Sequence, residues 1–168
     1  MTNPIAVVEG ADSESIQRLF GAVAVNFRAR GVGVIGVTAE MHDLPDRSCS
    51  AGLLRNVASN ERFSIYLEMQ PAHTSCHLDA KGVEEACASV LSGIPECELV
   101  VLSKFGKLEA AGGGLFPAFG RTIAAGLPLL TTVSCKHREA WRSLVPEAEY
   151  IEATEAGVNA WWRSLMSN

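Results

Sequence analysis

A short uninterrupted apolar run, Ile5-Ala6-Val7-Val8, opens the chain, and a second one, Val32 to Thr38, follows after an amphipathic stretch. Runs this short with no polar alternation fit strands buried on both faces. Between them, Glu9-Gly10-Ala11-Asp12-Ser13 supplies turn formers and a candidate N-cap. Ile16, Leu19, Phe20, Val23 and Phe27 then share one helical face, and Arg28, Arg30 and Gly31 provide the C-terminal charge and stop. Strand, helix and strand within about 35 residues make a βαβ unit, so the two strands are expected to be parallel.

The rhythm changes once. A weak strand near Leu53 to Val57, the turn-rich Ala58-Ser59-Asn60-Glu61, and alternating Phe63, Ile65 and Leu67 predict a β-hairpin insertion at about residues 49–68. Asp79 is placed to cap a helix whose Val83, Ala86, Cys87, Val90 and Leu91 face the core, and Glu98 to Leu102 reads as the next buried strand. Pro117 suits the first turn of a helix ending at Gly126, and Leu127 to Val133 forms another strand. A short helix around Arg138 to Leu144, a brief strand at Tyr150-Ile151 and a last helix complete the pattern. The alternation predicts one α/β domain over residues 1–168, with three α/β/α layers and a mainly parallel sheet.

Composition limits the partners. With 168 residues, 48% of them apolar, the chain can bury a core of its own. A formal charge of -5, from 14 Lys+Arg against 19 Asp+Glu, argues against a nucleic-acid surface. The N-terminus has no basic region before its apolar run, which is far shorter than a signal or membrane segment, so a cytoplasmic protein without a membrane partner is expected. Five cysteines in a chain of this size read as reduced thiols rather than a disulfide framework.

Ligands of open parallel sheets bind beyond the carboxyl ends of the strands, which here means the loops Glu9 to Ser13, Thr38 to Arg47, Ser103 to Phe116 and Ser134 to His137. The third loop stands out. It places Ser103, Lys104, Gly106, Lys107 and Glu109 ahead of the consecutive Gly112, Gly113 and Gly114, between a buried strand and a helix. Two ammonium groups and bare backbone amides suit an anion, and Gly10, Asp12 and Ser13 of the first turn border the same edge. The competing reading is a surface turn whose lysines neutralise nearby carboxylates.

These residues carry a resemblance. The stretch SKFGKLEAAGGGL after a hydrophobic strand, the LPLLTTV strand followed by Ala140-Trp141-Arg142, and the earlier Cys76-His77-Leu78-Asp79 resemble an uncharacterised bacterial domain-of-unknown-function family. That family is similar to a divergent branch of the P-loop nucleoside triphosphatases, which implies a P-loop NTPase-like fold. Phe105-Gly106-Lys107-Leu108-Glu109 matches part of a motif that ends the central strand of the small bacterial and archaeal members, while Ser103-Lys104 stands where their acidic pair belongs. The phosphate loop is also absent: G-x-x-x-x-G-K-[ST] is replaced by Glu9-Gly10-Ala11-Asp12-Ser13-Glu14-Ser15. Glu9, Asp12 and Glu14 would repel a triphosphate there, so ordinary ATP hydrolysis is not expected. The expected ligand is a nucleotide, a phosphate or another oxyanion.

A second constellation suggests a different chemistry. Cys76 and His77, with His73 nearby, follow the hairpin, and Cys49 with His42 precedes it, so the thiols and imidazole of Cys49, Cys76 and His77 could meet around a divalent metal. The resemblance implies, by association of the family and not from these residues, a link to molybdenum metabolism, so the alternative reading is an accessory protein handling a metal or a molybdate-type oxyanion. Ser134, Cys135 and His137 line the ligand edge without completing a nucleophile. Trp161 and Trp162 are adjacent, so one is expected to stay exposed or to meet a second copy in a homodimer, which leaves a structural dimer partner as a third reading.

Overall fold

The computed structural model describes residues 3–41, 51–65 and 79–167. In chain order the elements are β1 (Ile5–Glu9), α1 (Ser13–Ala29), β2 (Val34–Met41), β3 (Ala51–Asn56), β4 (Arg62–Ser64) and α2 (Ala80–Leu91). They continue with β5 (Leu99–Leu102), α3 (Lys107–Ala110), α4 (Phe116–Ala124), β6 (Leu129–Thr131), α5 (Arg138–Leu144), β7 (Glu149–Glu152) and α6 (Glu155–Met166). The seven strands form one sheet in the order β4-β3-β2-β5-β6-β1-β7. All pairs from β2 to β7 along that order are parallel, and β3 and β4 add an antiparallel hairpin at one edge.

Alternation within the strands builds two cores. Ile5, Val7, Val100, Leu102 and Leu129 point to one face, where they pack with Val83, Cys87, Phe119 and Trp141 of α2, α4 and α5. Ala6, Val8, Leu99, Val101 and Leu130 point to the other, against Phe20, Val23 and Phe27 of α1 and Trp161 and Trp162 of α6. Three layers result. The parallel β1 and β2 are not neighbours, because β6 and β5 lie between them. A 17-residue α1, about 25 Å long, readily spans three strand spacings of about 4.8 Å.

One local conflict forces a glycine. Gly36 of β2 has φ 141°, and a Cβ there would lie 1.8 Å from the Val101 carbonyl oxygen. No side chain fits between those two strands.

The tryptophan expectation is overturned. Trp161 is 2% and Trp162 8% exposed. The Trp161 indole N–H donates to the Asn3 carbonyl at 3.0 Å, while Trp162 meets the Phe27 ring edge-on at 5.4 Å. The helix is wide enough to bury two adjacent indoles on its flank, and they offer no surface for a homodimer. Leu67 and the end of the hairpin insertion lie outside the described residues.

Candidate functional site

β1 and β6 are neighbours, yet the segments that follow them leave toward opposite faces: α1 joins the Ala6/Val8 side and α5 the Ile5/Val7 side. This opens a crevice beyond the carboxyl ends of the central strands, the usual ligand position of such sheets. Thr132 Oγ1 donates to the Val8 carbonyl at 2.8 Å and Thr131 Oγ1 to the Leu102 carbonyl at 2.8 Å, tying β6 to both neighbours at this edge.

The β1-to-α1 turn closes on itself. Only Gly10, Ala11 and Asp12 separate the strand from Ser13, whereas a phosphate loop places four residues between its two glycines alone. Gly10 takes φ 94° to make the turn. Asp12 Oδ1 accepts the Ser15 amide at 2.8 Å and Oδ2 the Ser15 hydroxyl at 3.0 Å. These hydrogen bonds hold the Asp12 carboxyl below its ordinary value of 3.8. The helix N-terminus, where a phosphate would sit, already carries the chain's own carboxylate. Glu9 lies 3.7 Å from Arg138, and Glu14 pairs with Arg18.

The loop after β5 is organised by a buried glutamate. Glu109, 6% exposed, accepts the Gly106 amide on Oε1 at 2.9 Å and the Leu115 amide on Oε2 at 2.8 Å. The Gly112 amide donates to the Glu109 carbonyl and the Gly113 amide to the Leu108 carbonyl. Gly112 and Gly114 adopt φ 86° and 57°. The expected bare amides are therefore fewer than the glycine count suggests: those of Gly106, Gly112 and Gly113 are satisfied within the loop. The glycine run serves chain geometry instead.

Ser103 is buried, and its carbonyl accepts Gln17 Nε2 at 2.7 Å. Gln17 Oε1 in turn accepts the Ala39 amide at 2.9 Å, so one α1 side chain joins the ends of β5 and β2. Lys104 and Lys107 are exposed and form no ion pair with another described residue. The loop therefore offers ammonium groups to solvent while the amides of Gly106, Gly112 and Gly113 are used within it. Cys49, Cys76 and His77 lie outside the described residues, and among those described no group of three His, Cys, Asp or Glu side chains is placed to hold a metal. Cys135 is exposed at the edge, and Trp141 is fully buried core.

Sheet order, layering and crevice together define a P-loop NTPase-like α/β/α protein. A human cancer-related nucleoside triphosphatase, known from its solution structure, superposes with a TM-score of 0.61, covering 96% of this chain and 93% of that one at 14% identity. The chain belongs to the family described as "Protein of unknown function (DUF2478)", whose model matches residues 5–161. It is also 31% identical over 176 residues to the molybdenum import ATP-binding protein ModC 2 of Bradyrhizobium diazoefficiens. That match takes in 98% of this chain and 19% of the relative's length. No helix among the described residues is long and apolar enough to cross a membrane.

Gln17 was not legible as a site residue. A polar residue on the buried stripe of an amphipathic helix was the available signal, since buried polar side chains require partners.

Proposed function

We propose that this chain is a non-hydrolysing member of the NTPase fold that binds an oxyanion at the exposed Lys104 and Lys107 and serves molybdenum handling, with molybdate as the class of ligand. The observation that carries the absence of hydrolysis is the three-residue turn capped by Asp12. It has no lysine for the phosphates, no hydroxyl following one for Mg²⁺, and a negative charge at the helix end. The two exposed ammonium groups, unpaired among the described residues, support the oxyanion, and the likeness to a molybdenum import ATP-binding protein supports the molybdenum context.

A second reading has support from the same comparison, whose relative is described as ATP-binding: a nucleotide is held without being cleaved. Calorimetric titration with molybdate, tungstate, phosphate and ATP separates the two. Saturable molybdate and tungstate binding, lost in Lys104→Ala/Lys107→Ala, is the expected result. ATP turnover above background, or failure of every oxyanion to bind, overturns the reading. ATP binding without turnover selects the second.

A further inference from the structure

A groove of about 840 Å³ runs between α1 and the β2–β3 hairpin, and Gln17 in its wall donates to the Ser103 carbonyl at the start of the lysine loop. Among the described residues α2 packs against one face of β3 and β4, while α1 packs on β2 and leaves the groove beside it. Its size falls in the range of small-molecule sites.

The lining is arginine-rich for a chain of net charge -5. Arg18 and Arg28 reach it from α1 and Arg55 from its floor, against Glu14 and Glu40. Thr38 stands opposite Arg55 in the β2–β3 ladder, and Arg62 stands opposite Arg55 in the β3–β4 ladder. Arg55 Nε is in ion contact with Glu40 on the groove floor. Arg28 Nη1 donates to the neutral Val57 carbonyl at 2.7 Å, which leaves its charge uncompensated by any described carboxylate. Arg18 is held by Glu14 in an exposed i,i+4 pair, a weak contact that a ligand can displace. Gly21 and Ala24 keep the helix wall flat and open between the two α1 arginines.

Guanidinium groups converging on an open, flat-walled groove match a phosphate or carboxylate attached to an organic body. We propose that this groove binds a phosphorylated small molecule of mononucleotide size, with its phosphate at Arg28 and Arg55 and its ring or sugar against Gly21 and Ala24. Neither Lys104 nor Lys107 lines this groove, so the proposal does not depend on the reading given for that edge.

AMP, ribose 5-phosphate and inorganic phosphate serve as probes, titrated calorimetrically with backbone amide NMR to locate the perturbed residues. AMP is expected to bind one site, with shifts at Gly21, Ala24 and Val57, and inorganic phosphate to bind more weakly. Arg28→Gln is expected to weaken AMP about tenfold or more, a change well within what such titrations resolve. Gly21→Leu fills the groove from a position where an added Cβ meets nothing within 4 Å, so it blocks binding while the melting temperature is kept or raised. Lys104→Ala and Lys107→Ala leave AMP binding unchanged. Absence of saturable binding of AMP and ribose 5-phosphate by the wild-type chain, or binding that survives Gly21→Leu, overturns the proposal. Loss of AMP binding in the lysine variants does so too, by assigning the ligand to the sheet edge.

Discussion

Glu109 and Gly114 leave room between them for nothing larger than hydrogen: a Cβ on Gly114 would lie 2.1 Å from Glu109 Oε2. The carboxylate reaches that position because it accepts the Gly106 and Leu115 amides, and the chain passes over it only by taking φ 57° at Gly114. Gly114→Ala therefore combines left-handed strain with eviction of a buried carboxylate. It is expected to lower stability by about 3 kcal/mol or more, since the strain costs about 1 kcal/mol and each orphaned amide about 1–3. Urea unfolding measures this. In a Glu109→Ala background the same substitution should cost far less, and additive losses would show that the two residues are not coupled.

Gln17 connects three elements with one side chain, so its replacement is felt beyond its own volume. In Gln17→Leu the Ser103 carbonyl and the Ala39 amide lose their partner, and the expected loss is about 2 kcal/mol or more in the urea midpoint. Gln17→Glu keeps an acceptor for Ala39 but sets a carboxylate against the Ser103 carbonyl. It should be worse than Leu at neutral pH and recover as the pH falls, when the protonated acid donates again. A pH-independent defect would refute this account.

The elements that periodicity could reveal are those with two buried faces or one clear stripe. Ile5 to Val8, Leu99 to Leu102 and the Ile16/Phe20/Val23/Phe27 face of α1 are visible in the sequence because burial alone dictates them. Asp79, as the cap of α2, follows from its place before an apolar stripe and accepts the Lys81 amide at 3.0 Å. Strand order is not visible, since nothing in β1 or β2 records that β5 and β6 come between them. The glycine loop misleads for a related reason. Three consecutive glycines look like a cradle for a ligand, but the Gly112 and Gly113 amides close the turn after α3 on the Glu109 and Leu108 carbonyls, and the sequence does not show where α3 ends. The groove arginines escape notice because Arg18 and Arg28 meet Arg55 only where α1 lies beside the β2–β3 ladder.

The thiols should differ sharply in reactivity. Burial pushes the Cys87 thiol up, with the neighbouring Glu109 charge acting in the same direction, and burial likewise raises Cys97. Thiolate is the nucleophile, so raising its pKa and hiding it both slow alkylation. Under native conditions at mildly alkaline pH, iodoacetamide should label the exposed Cys135 ahead of Cys97, and Cys87 only after denaturant is added. Peptide-resolved mass spectrometry reads the order. Early labelling of Cys87 would mean that the α2 face opens far more readily than its packing implies.

Asp12 gives a pH signature for the turn that replaces the phosphate loop. Its folded-state pKa lies below the ordinary 3.8 because the Ser15 amide and hydroxyl favour the charged form. A depressed carboxyl contributes stability that is fully present above its unfolded value and is lost as the pH falls through the folded one. Asp12→Ala should therefore lower the melting temperature at neutral pH, and the difference from the parent chain should shrink on acidification below 3.8. Asp12→Asn keeps a cap without the charge and should fall between the two at neutral pH. Neither substitution supplies a phosphate-binding lysine, so neither should create ATP hydrolysis. A pH-independent gap between Asp12→Ala and the parent would mean that the carboxylate is not engaged with the helix end, and appearance of ATP turnover in either variant would mean that its charge was all that kept triphosphate chemistry out of the turn.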